Sequence, residues 1–298
     1  MPRTEHIILV GLIMGTLARF VLLKVDFRQY PSYPQGYIIH LTLGAIAAGL
    51  GAVILPALLN KDYTAVTFLT IAIQQFREVR RMERDSLDNL EVNELVKRGS
   101  AYIEDISKKF EARNYAALLV SISATLAIYI TQNIFIGIIA GIIFIAVFSY
   151  TMKGKKLMDV AGIEPAKLHF KGAFLLVDDI VIMNIGLEPS RDKVLDKGVG
   201  ILITPKDHSA KVTLTNTGQR QAMLYDVVSI LGVRRDVDEP EYTPMARRNP
   251  DTGTVGLFLM TSEIDVRGII EVVKRTPVLE TCKKQPIDSF AGKRLLGK

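Results

Sequence analysis

Two adjacent carboxylates, Asp178 and Asp179, directly follow the apolar run Phe174–Val177. Two carboxylates that share one proton can activate a water molecule, so a pair of this kind could serve hydrolysis. The same residues also suit a turn at the end of a strand, in which both carboxylates face solvent. We favour the turn. In the alternative hypothesis, hydrolysis, Asp178 and Asp179 are the catalytic candidates.

A later apolar-apolar-Gly run, Ile230–Gly232, extends the hydrolysis hypothesis. The order of these features is similar to that of aspartic peptidases, in which such a run packs beneath the strand that precedes the Asp. The chain departs from that pattern, because Asp179 and Ile180 stand where a Thr or Ser and then a Gly are expected. The resemblance implies, as an alternative, a membrane-tethered aspartic-type peptidase that acts on a cytoplasmic or membrane-associated regulator.

An Asp-Thr-Gly triplet at residues 251–253 also matches the peptidase motif literally. It follows the polar stretch Arg247–Pro250 rather than a buried apolar strand. Pro-Asp-Thr-Gly is an ordinary reverse-turn sequence, because Pro fixes φ and Gly supplies positive φ. We therefore predict that this triplet is the tip of a β-hairpin.

A third set of residues, Thr215–Arg220, lies where a predicted strand meets a predicted helix. Free amides at a helix N-terminus, with that of Gly218 among them, and the guanidinium of Arg220 could hold a phosphate or a carboxylate. No phosphate-binding signature of the Gly-Lys-Ser/Thr or Gly-x-Gly-x-x-Gly type accompanies them. A plain capped helix is the favoured interpretation, and a small-anion or nucleotide sensor is a second alternative.

Metal, cofactor and nucleic-acid functions find little support in the composition. The chain has one cysteine, Cys282, and four histidines without metal-ligand spacing, so we predict no metal site and no cofactor. The net charge of +6 is spread over several clusters without an aromatic platform for bases. We therefore predict no nucleic-acid partner, and a packing or surface role for Cys282.

The elements that position these residues fall into two halves, because apolar residues concentrate before Lys153. A helix needs roughly twenty apolar residues to cross a hydrocarbon core of about 30 Å. The segments predicted to span the membrane are His6–Leu23, Tyr37–Leu59, Tyr115–Thr131 and Ile134–Thr151. Arg19 lies close enough to the end of the first segment for its side chain to snorkel to the membrane surface. A tight turn at Gln132-Asn133 is predicted between the last two.

The second predicted span carries small residues along its length. They are Gly44, Ala48, Gly49, Gly51 and Ala52. Small residues let another helix approach closely in lipid. The sequence leaves open whether that helix belongs to the same chain or to a second copy in a homo-oligomer.

The distribution of Lys and Arg predicts the orientation. The stretch Asn60–Asn114 holds ten of them, and three more follow the last span directly. Both flanks of the last two spans should therefore face the cytoplasm. With four spans the N-terminus is cytoplasmic too, and the loop at residues 30–34 lies outside. If the shorter segment Tyr63–Phe76 also crosses, there are five spans and the N-terminus moves outside. In either case we predict a multi-pass protein of the cell membrane whose C-terminal half is cytoplasmic.

The predicted fold is a multi-span α-helical membrane domain followed by a cytoplasmic α/β or α+β domain. The membrane domain covers residues 1–156 and contains a cytoplasmic amphipathic segment at 76–114. The α/β domain covers residues 157–282, and a basic flexible tail follows at 283–298.

Apolar periodicity predicts the elements within these domains. In the amphipathic segment a helical pattern runs from Phe76 to Val96, Gly99-Ser100 breaks it, and Ala101 starts a helix that continues into the third span. Strands are predicted at Ala173–Val177, Asp179–Ile185, Gly200–Thr204, Lys211–Thr215 and Val255–Met260. Helices are predicted between Pro189 and Gly198, after Asn216 with a capping box completed by Gln219, and from Val266 until Pro277 stops the last one.

The hexapeptide Tyr102–Ser107 resembles the motif for which the YIEGIA family is named. The segments Phe110–Tyr115 and Gln75–Arg80 also look like this family, and the likeness extends over most of the chain. The matching motif residues are Tyr102, Ile103, Glu104 and Ile106. Asp105 replaces the usual Gly and Ser107 the usual Ala, so a close backbone crossing at position 105 is not expected here.

The resemblance implies a membrane protein of endospore-forming bacteria that is associated with sporulation. We expect its cytoplasmic domain to regulate or bind a protein partner without evident catalysis, while the lipid bilayer holds the other half. The peptidase and the anion sensor are the two alternatives to this expectation.

Overall fold

The computed structural model describes residues 3–26, 34–283 and 294. The predicted outer loop at 30–34, apart from Pro34, lies outside the described residues. The predicted tail at 283–298, apart from Lys283 and Arg294, lies outside them as well. The chain forms two compact units: Met1–Ser86 with Ile106–Lys153, and Leu87–Asp105 with Gly154–Lys298.

Helices are the only regular elements among the described residues of the first unit. Its helices are α1 (Thr4–Asp26), α2 (Pro34–Leu59), α3 (Tyr63–Leu90), α4 (Ser100–Thr131) and α5 (Ile134–Thr151). The last residues of α3 and the first residues of α4 belong to the second unit. The predicted tight turn between α4 and α5 is confirmed, since Asn133 Oδ1 accepts a hydrogen bond from the Phe135 amide at 2.9 Å.

Four helices of the described chain are long and apolar enough to cross a membrane. The segments with this length and composition are Thr4–Leu23, Gly36–Leu59, Ser100–Thr131 and Ile134–Thr151. They contain the four predicted spans. Tyr63–Phe76, the predicted fifth segment, forms the first half of α3, which is not among these four helices. Through Ile73 and Phe76 it packs with α2 and α4 instead.

Small residues bring the helices of the first unit into backbone contact. A Cβ atom added at Gly51 of α2 would lie 2.5 Å from the Leu118 carbonyl oxygen of α4. Added at Gly15 of α1, it would lie 2.6 Å from the Ala117 carbonyl oxygen. The Ser121 hydroxyl of α4 donates to the Ala48 carbonyl oxygen at 2.7 Å. The small residues of the second predicted span therefore serve packing within one chain.

Arg19 does not extend outward as predicted, because its side chain is completely buried inside the first unit. Its Nη2 atom lies 3.1 Å from His40 Nδ1, and its guanidinium carbon lies 5.5 Å from the Phe110 ring centre. Gly44 leaves room for its methylenes, since a Cβ there would lie 2.2 Å from Arg19 Cγ. The prediction failed because sequence position gives distance from the membrane surface but not which side of the helix faces its neighbours.

Replacement of Gly51 by Ala should destabilise the first unit, whereas Gly49→Ala should not. The new methyl at 51 would collide with backbone, which costs about 1–3 kcal/mol for overpacking. At Gly49 the nearest atom to an added Cβ is Leu12 Cδ1 at 3.8 Å, an ordinary contact. Thermal unfolding of the full chain in detergent tests this, and equal midpoints for the two variants would contradict the packing.

The second unit combines three antiparallel sheets with helices. Its strands are β1 (Ala161–Ala166), β2 (Leu168–Lys171), β3 (Phe174–Val177), β4 (Ile180–Asn184), β5 (Val199–Pro205), β6 (Arg235–Asp236), β7 (Glu239–Pro240), β8 (Met245–Arg248) and β9 (Val255–Leu259). Its helices are α6 (Leu157–Val160), α7 (Glu188–Lys197), α8 (His208–Thr215), α9 (Thr217–Leu231) and α10 (Val266–Arg275). The sheet orders are β1-β5-β9-β8, β2-β3-β4 and β6-β7.

Strand β9 is the centre of the second unit, because all five of its residues are buried. Successive side chains of a strand point to opposite faces. Val255, Leu257 and Leu259 join the core that contains residues of α9 and α10, and Phe258 joins the core of the three-stranded sheet. Since every pair of named strands is antiparallel, the α+β form of the prediction fits the second unit.

Most of the predicted elements of the second unit are confirmed, with small shifts at their ends. These are β3, β4, β5, β9, the helix α7 closed by Gly198, the helix α9 capped by Asn216, and α10, which ends two residues before Pro277.

Lys211–Thr215 is helical rather than the predicted strand. It is the second half of α8, which begins where Asp207 Oδ1 accepts a hydrogen bond from the Ala210 amide at 2.7 Å. The buried residues Ala210, Thr213 and Leu214 follow helical spacing. The alternation of β-branched residues was therefore a weaker signal than the cap.

The end of α3 and the strand β1 also differ from the prediction. The helix that was expected to run to Val96 ends at Leu90, and only a single 3-10 turn, Glu91–Asn93, follows it. Strand β1 was not predicted, since Gly162 and Pro165 disfavour strands. An edge position in the order β1-β5-β9-β8 tolerates that proline.

Candidate functional site

Residues 87–105, which we name the junction segment, join α3 to α4 and belong to the second unit. The buried Glu91 carboxylate organises this segment by accepting hydrogen bonds from the Arg98 amide at 3.0 Å and the Gly99 amide at 2.9 Å. It also forms an ion pair with the Arg98 side chain, 3.6 Å from Oε1 to Nε. Gly99 suits the turn because its φ is +88°. The start of α4 is thereby fixed within the second unit.

Helix α9 holds the junction segment from one side. The Arg98 guanidinium lies 4.6 Å from the centre of the Tyr225 ring and donates to its hydroxyl. The Gln221 side-chain amide donates to the Lys97 carbonyl oxygen. The hydroxyl of Tyr102, the first residue of the family motif, donates to Asp226 Oδ1 at 3.0 Å. The junction segment is therefore tied to α9 at Lys97, Arg98 and Tyr102.

The chain after α10 also holds the start of α4. The Asp105 carboxylate accepts a hydrogen bond from the Glu280 amide at 3.0 Å, and the Thr281 hydroxyl donates to the Ala101 carbonyl oxygen at 3.1 Å. Asp105, which stands where the family has Gly, thus makes a polar contact in the second unit. A Cβ added at Gly218 of α9 would lie 2.4 Å from Ala101 Cβ, so α9 also touches α4 there.

The motif residues are mostly buried. Tyr102 and Ile103 lie in the part of α4 that belongs to the second unit, and Ile106 lies in the part that belongs to the first. Glu104 is partly exposed. The motif therefore contributes mainly to packing and to the contact with Asp226, with Glu104 as its most accessible member.

Asp226 is the titratable centre of the junction. Burial raises its pKa to about 6, while the hydrogen bonds from Thr276 and Tyr102 act in the opposite direction. A carboxyl group with this pKa changes charge under mildly acidic conditions. The junction is therefore a buried polar network that responds to pH, rather than a nucleophile facing a cleft.

The structure places Asp178 and Asp179 in a two-residue turn between β3 and β4. Asp178 has a φ of +47°, and its Oδ1 accepts a hydrogen bond from the Lys167 amide at 3.0 Å. The side chain of Asp179 is exposed. The carboxylate of Asp178 thus has a structural role in the turn.

The apolar-apolar-Gly run expected beneath Asp178 lies elsewhere in the second unit. Gly232 ends α9, and Leu231 packs against the core containing residues of α9 and α10. Leu175 and Val177, which precede the two aspartates, belong to the other core. The structure does not bring the two parts of the peptidase pattern together.

The other predicted sites also take defined places. The predicted hairpin tip is confirmed, since Asp251–Gly253 forms the turn between β8 and β9 with Gly253 at φ +77°. Asn216 Oδ1 accepts from the Gly218 amide at 2.8 Å, as the cap prediction required. The capping box is wrong, because the Gln219 side chain instead donates to Pro277 and accepts from the Leu279 amide.

Cys282 is buried, which confirms a packing role over a surface one. Its Sγ atom lies 3.3 Å from Asn216 Oδ1. Among the described residues, no group of three or more His, Cys, Asp or Glu side chains could hold a metal ion.

Glu91, Arg98, Tyr225 and Asp226 were not predicted as site residues. A signal did exist for Asp226, a carboxylate inside a helix whose neighbours Met223, Leu224 and Val227 are apolar. No comparable signal marked the other three. Glu91 pairs with Arg98 only seven residues on, but across an irregular turn, whereas Arg98 and Tyr225 are 127 residues apart.

These features define a class of protein. It pairs a helical unit containing helices long and apolar enough to span a membrane with a second unit of α+β form, and α4 contributes residues to both. Residues 7–289 match the YIEGIA protein family, so the chain belongs to that family. It is similar to the "uncharacterized protein YphB" of Bacillus subtilis (strain 168), with 42% identity over 281 residues that cover 94% of each chain. No solved structure gives a significant match.

Removal of the Tyr102 hydroxyl should loosen the junction. Tyr102→Phe leaves the buried Asp226 with one donor fewer, a loss of about 1–2 kcal/mol. Cys282 is the only thiol in the chain, so its rate of labelling by a maleimide under native conditions reports local opening. We expect labelling to be roughly 5–30 times faster in the variant.

Tyr242→Phe is the matched control, because Tyr242 packs against the core of the three-stranded sheet rather than at the junction. It should label like the native chain. Equal rates for Tyr102→Phe and the native chain would show that this hydrogen bond does not hold the segment.

Asp226 should make stability depend on pH between about 4 and 6. The folded carboxyl keeps its proton up to a pKa of about 6, against 3.8 for the ordinary group, so unfolding releases a proton in this window. The contribution of Asp226 to the free energy of unfolding is therefore fully present below about pH 4. It decreases by on the order of 2–3 kcal/mol as the pH rises to 6.

Asp226→Asn removes this titration. The native chain's thermal midpoint, measured relative to that of the variant, should therefore fall from pH 4 to 6 and then stay level. A constant difference between the two midpoints across this range would exclude a raised pKa.

Proposed function

We propose that this chain is a sporulation-associated protein of the cell membrane whose C-terminal domain, on the cytoplasmic side, regulates or binds a protein partner. The proposal rests on one observation. Tyr102 of the family motif is buried in the second unit and bonded to Asp226, and the helix to which it belongs has the length and composition of a membrane span.

The junction contains more specific contacts than a tether needs. A domain that is merely anchored can be joined to its anchor by a flexible linker. Here a buried ion pair and several hydrogen bonds fix the segment before α4, and networks of this kind specify one arrangement at a cost in desolvation. A partner that shifts α9 would therefore act on Arg98 and Tyr102 and so on the beginning of α4.

The sporulation setting is supported by the family and by the relative in Bacillus subtilis, which forms endospores. A binding role is supported over catalysis by the turn at Asp178, whose carboxylate bonds the Lys167 amide. The cytoplasmic placement of the second unit is supported by the excess of Lys and Arg that flanks the predicted spans.

Complementation of a deletion strain tests the proposal. The deletion should lower the yield of heat-resistant spores, and the native chain should restore it. Tyr102→Phe, present at native membrane levels, should restore it poorly, whereas Tyr242→Phe should restore it fully. A native spore yield with Tyr102→Phe would show that the function does not need the junction. A native spore yield in the deletion strain would exclude a role in sporulation.

The same strain separates binding from peptidase activity. Asp178→Asn and Asp179→Asn keep the side-chain size and remove the carboxylate chemistry, so both should behave like the native chain. If either variant matches the deletion strain, and one defined protein accumulates in that variant and in the deletion strain, the peptidase hypothesis replaces the proposal.

Cross-linking tests the binding of a partner. In sporulating cells it should give one adduct of the chain, and this adduct should disappear when residues 154–298 are removed.

A further inference from the structure

Two arginines from different elements converge on Thr215, the last residue of α8. Arg220 Nη1 of α9 donates to the Thr215 carbonyl oxygen at 3.2 Å. Arg248 Nη1 of β8 donates to the Thr215 hydroxyl oxygen at 3.1 Å. Two guanidinium groups therefore lie against one uncharged residue.

The positive charges of this pair are not neutralised by the protein within the described residues. Among these residues, no carboxylate oxygen forms an ion pair with Arg220 or Arg248 at an N–O distance of 4.0 Å or less. Burial, and then the charge of Arg248, lower the pKa of Arg220. A bound anion would relieve this repulsion.

The two guanidinium groups are held in place by their surroundings. The Thr215 hydroxyl donates to the Lys211 carbonyl oxygen at 2.8 Å, which directs its lone pairs toward Arg248. The Lys211 ammonium donates to the Asp251 carbonyl oxygen, and its methylenes cross Gly253, where a Cβ would lie 2.4 Å from Lys211 Cγ. Helix α8 is thus tied to the hairpin that carries Arg248.

Both arginines retain donors for a ligand. Each uses one nitrogen for Thr215, both side chains are partly exposed, and a guanidinium presents further N–H groups in a planar fork. That fork matches two oxygens of a phosphate group, which is why paired arginines recognise phosphate. The Gly218 amide is already bonded to Asn216, so the helix terminus does not supply the site.

We propose that Arg220 and Arg248 form a binding site for a small phosphate-bearing anion. The site shares helix α9 with the junction but uses other side chains, and it does not depend on the proposed partner. The sequence had suggested Gly218 with Arg220, and the structure replaces Gly218 by Arg248. The same chemistry is offered by free phosphates and by phospholipid headgroups.

Calorimetric titration of the full chain with pyrophosphate, in nanodiscs of neutral lipid, tests the site. The native chain should bind, and Arg220→Gln and Arg248→Gln should each weaken binding by about tenfold or more, as expected for a charge-assisted contact. Arg247→Gln is the matched control, because Arg247 is the exposed neighbour on the same strand. No binding by the native chain, or equal weakening by all three variants, would overturn the proposal.

Two further arms complete the experiment. Arg220→Lys and Arg248→Lys keep the charge and lose the fork, so they should bind more weakly than the native chain even if a Gln variant fails to fold. Nanodiscs that contain phosphatidylglycerol distinguish the sources. Loss of pyrophosphate binding there assigns the site to a lipid headgroup, and unchanged binding assigns it to a free anion.

Discussion

The buried pair of Glu91 and Arg98 is the interaction on which the junction depends. Without the Glu91 carboxylate, the Arg98 and Gly99 amides would lose their acceptor and the Arg98 guanidinium would be left as a buried charge. Breaking one partner of such a pair is costly even where the intact pair adds little stability. The pair therefore acts mainly to specify one course for the chain, and the contacts of Tyr102 and Asp105 follow from that course.

The two units reach their stability by different means. In the second unit, both faces of β9 are covered by apolar side chains, and the hydrophobic effect supplies most of the driving force. In the first unit, if its surroundings are lipid, association depends on close contact instead. Gly15, Gly51 and Ser121 provide that contact, and Gly44 makes room for Arg19.

Local signals predicted much of the fold. Apolar length located the four long helices, Asn216 and Gly198 marked helix ends, and Asp-Thr-Gly marked a turn. Predictions failed where the position of a side chain depends on a partner that is distant in sequence. Gln219 bonds to the chain after α10 instead of to its own helix, and Arg19 points inward because Gly44 lies opposite. Most of the junction was missed for the same reason, since Tyr102 and Asp226 are 124 residues apart.

The separation between the two parts of the second unit has a consequence for biosynthesis. The contacts of Ala101 and Asp105 with residues after α10 join positions 180 and 175 apart in sequence. A ribosome makes the junction segment first, then the last two apolar helices, and only much later Glu280 and Thr281. Contacts across such distances form slowly. The helices that begin at Ser100 and Ile134 are therefore complete, and available for insertion, before the domain that anchors the start of α4 can finish folding.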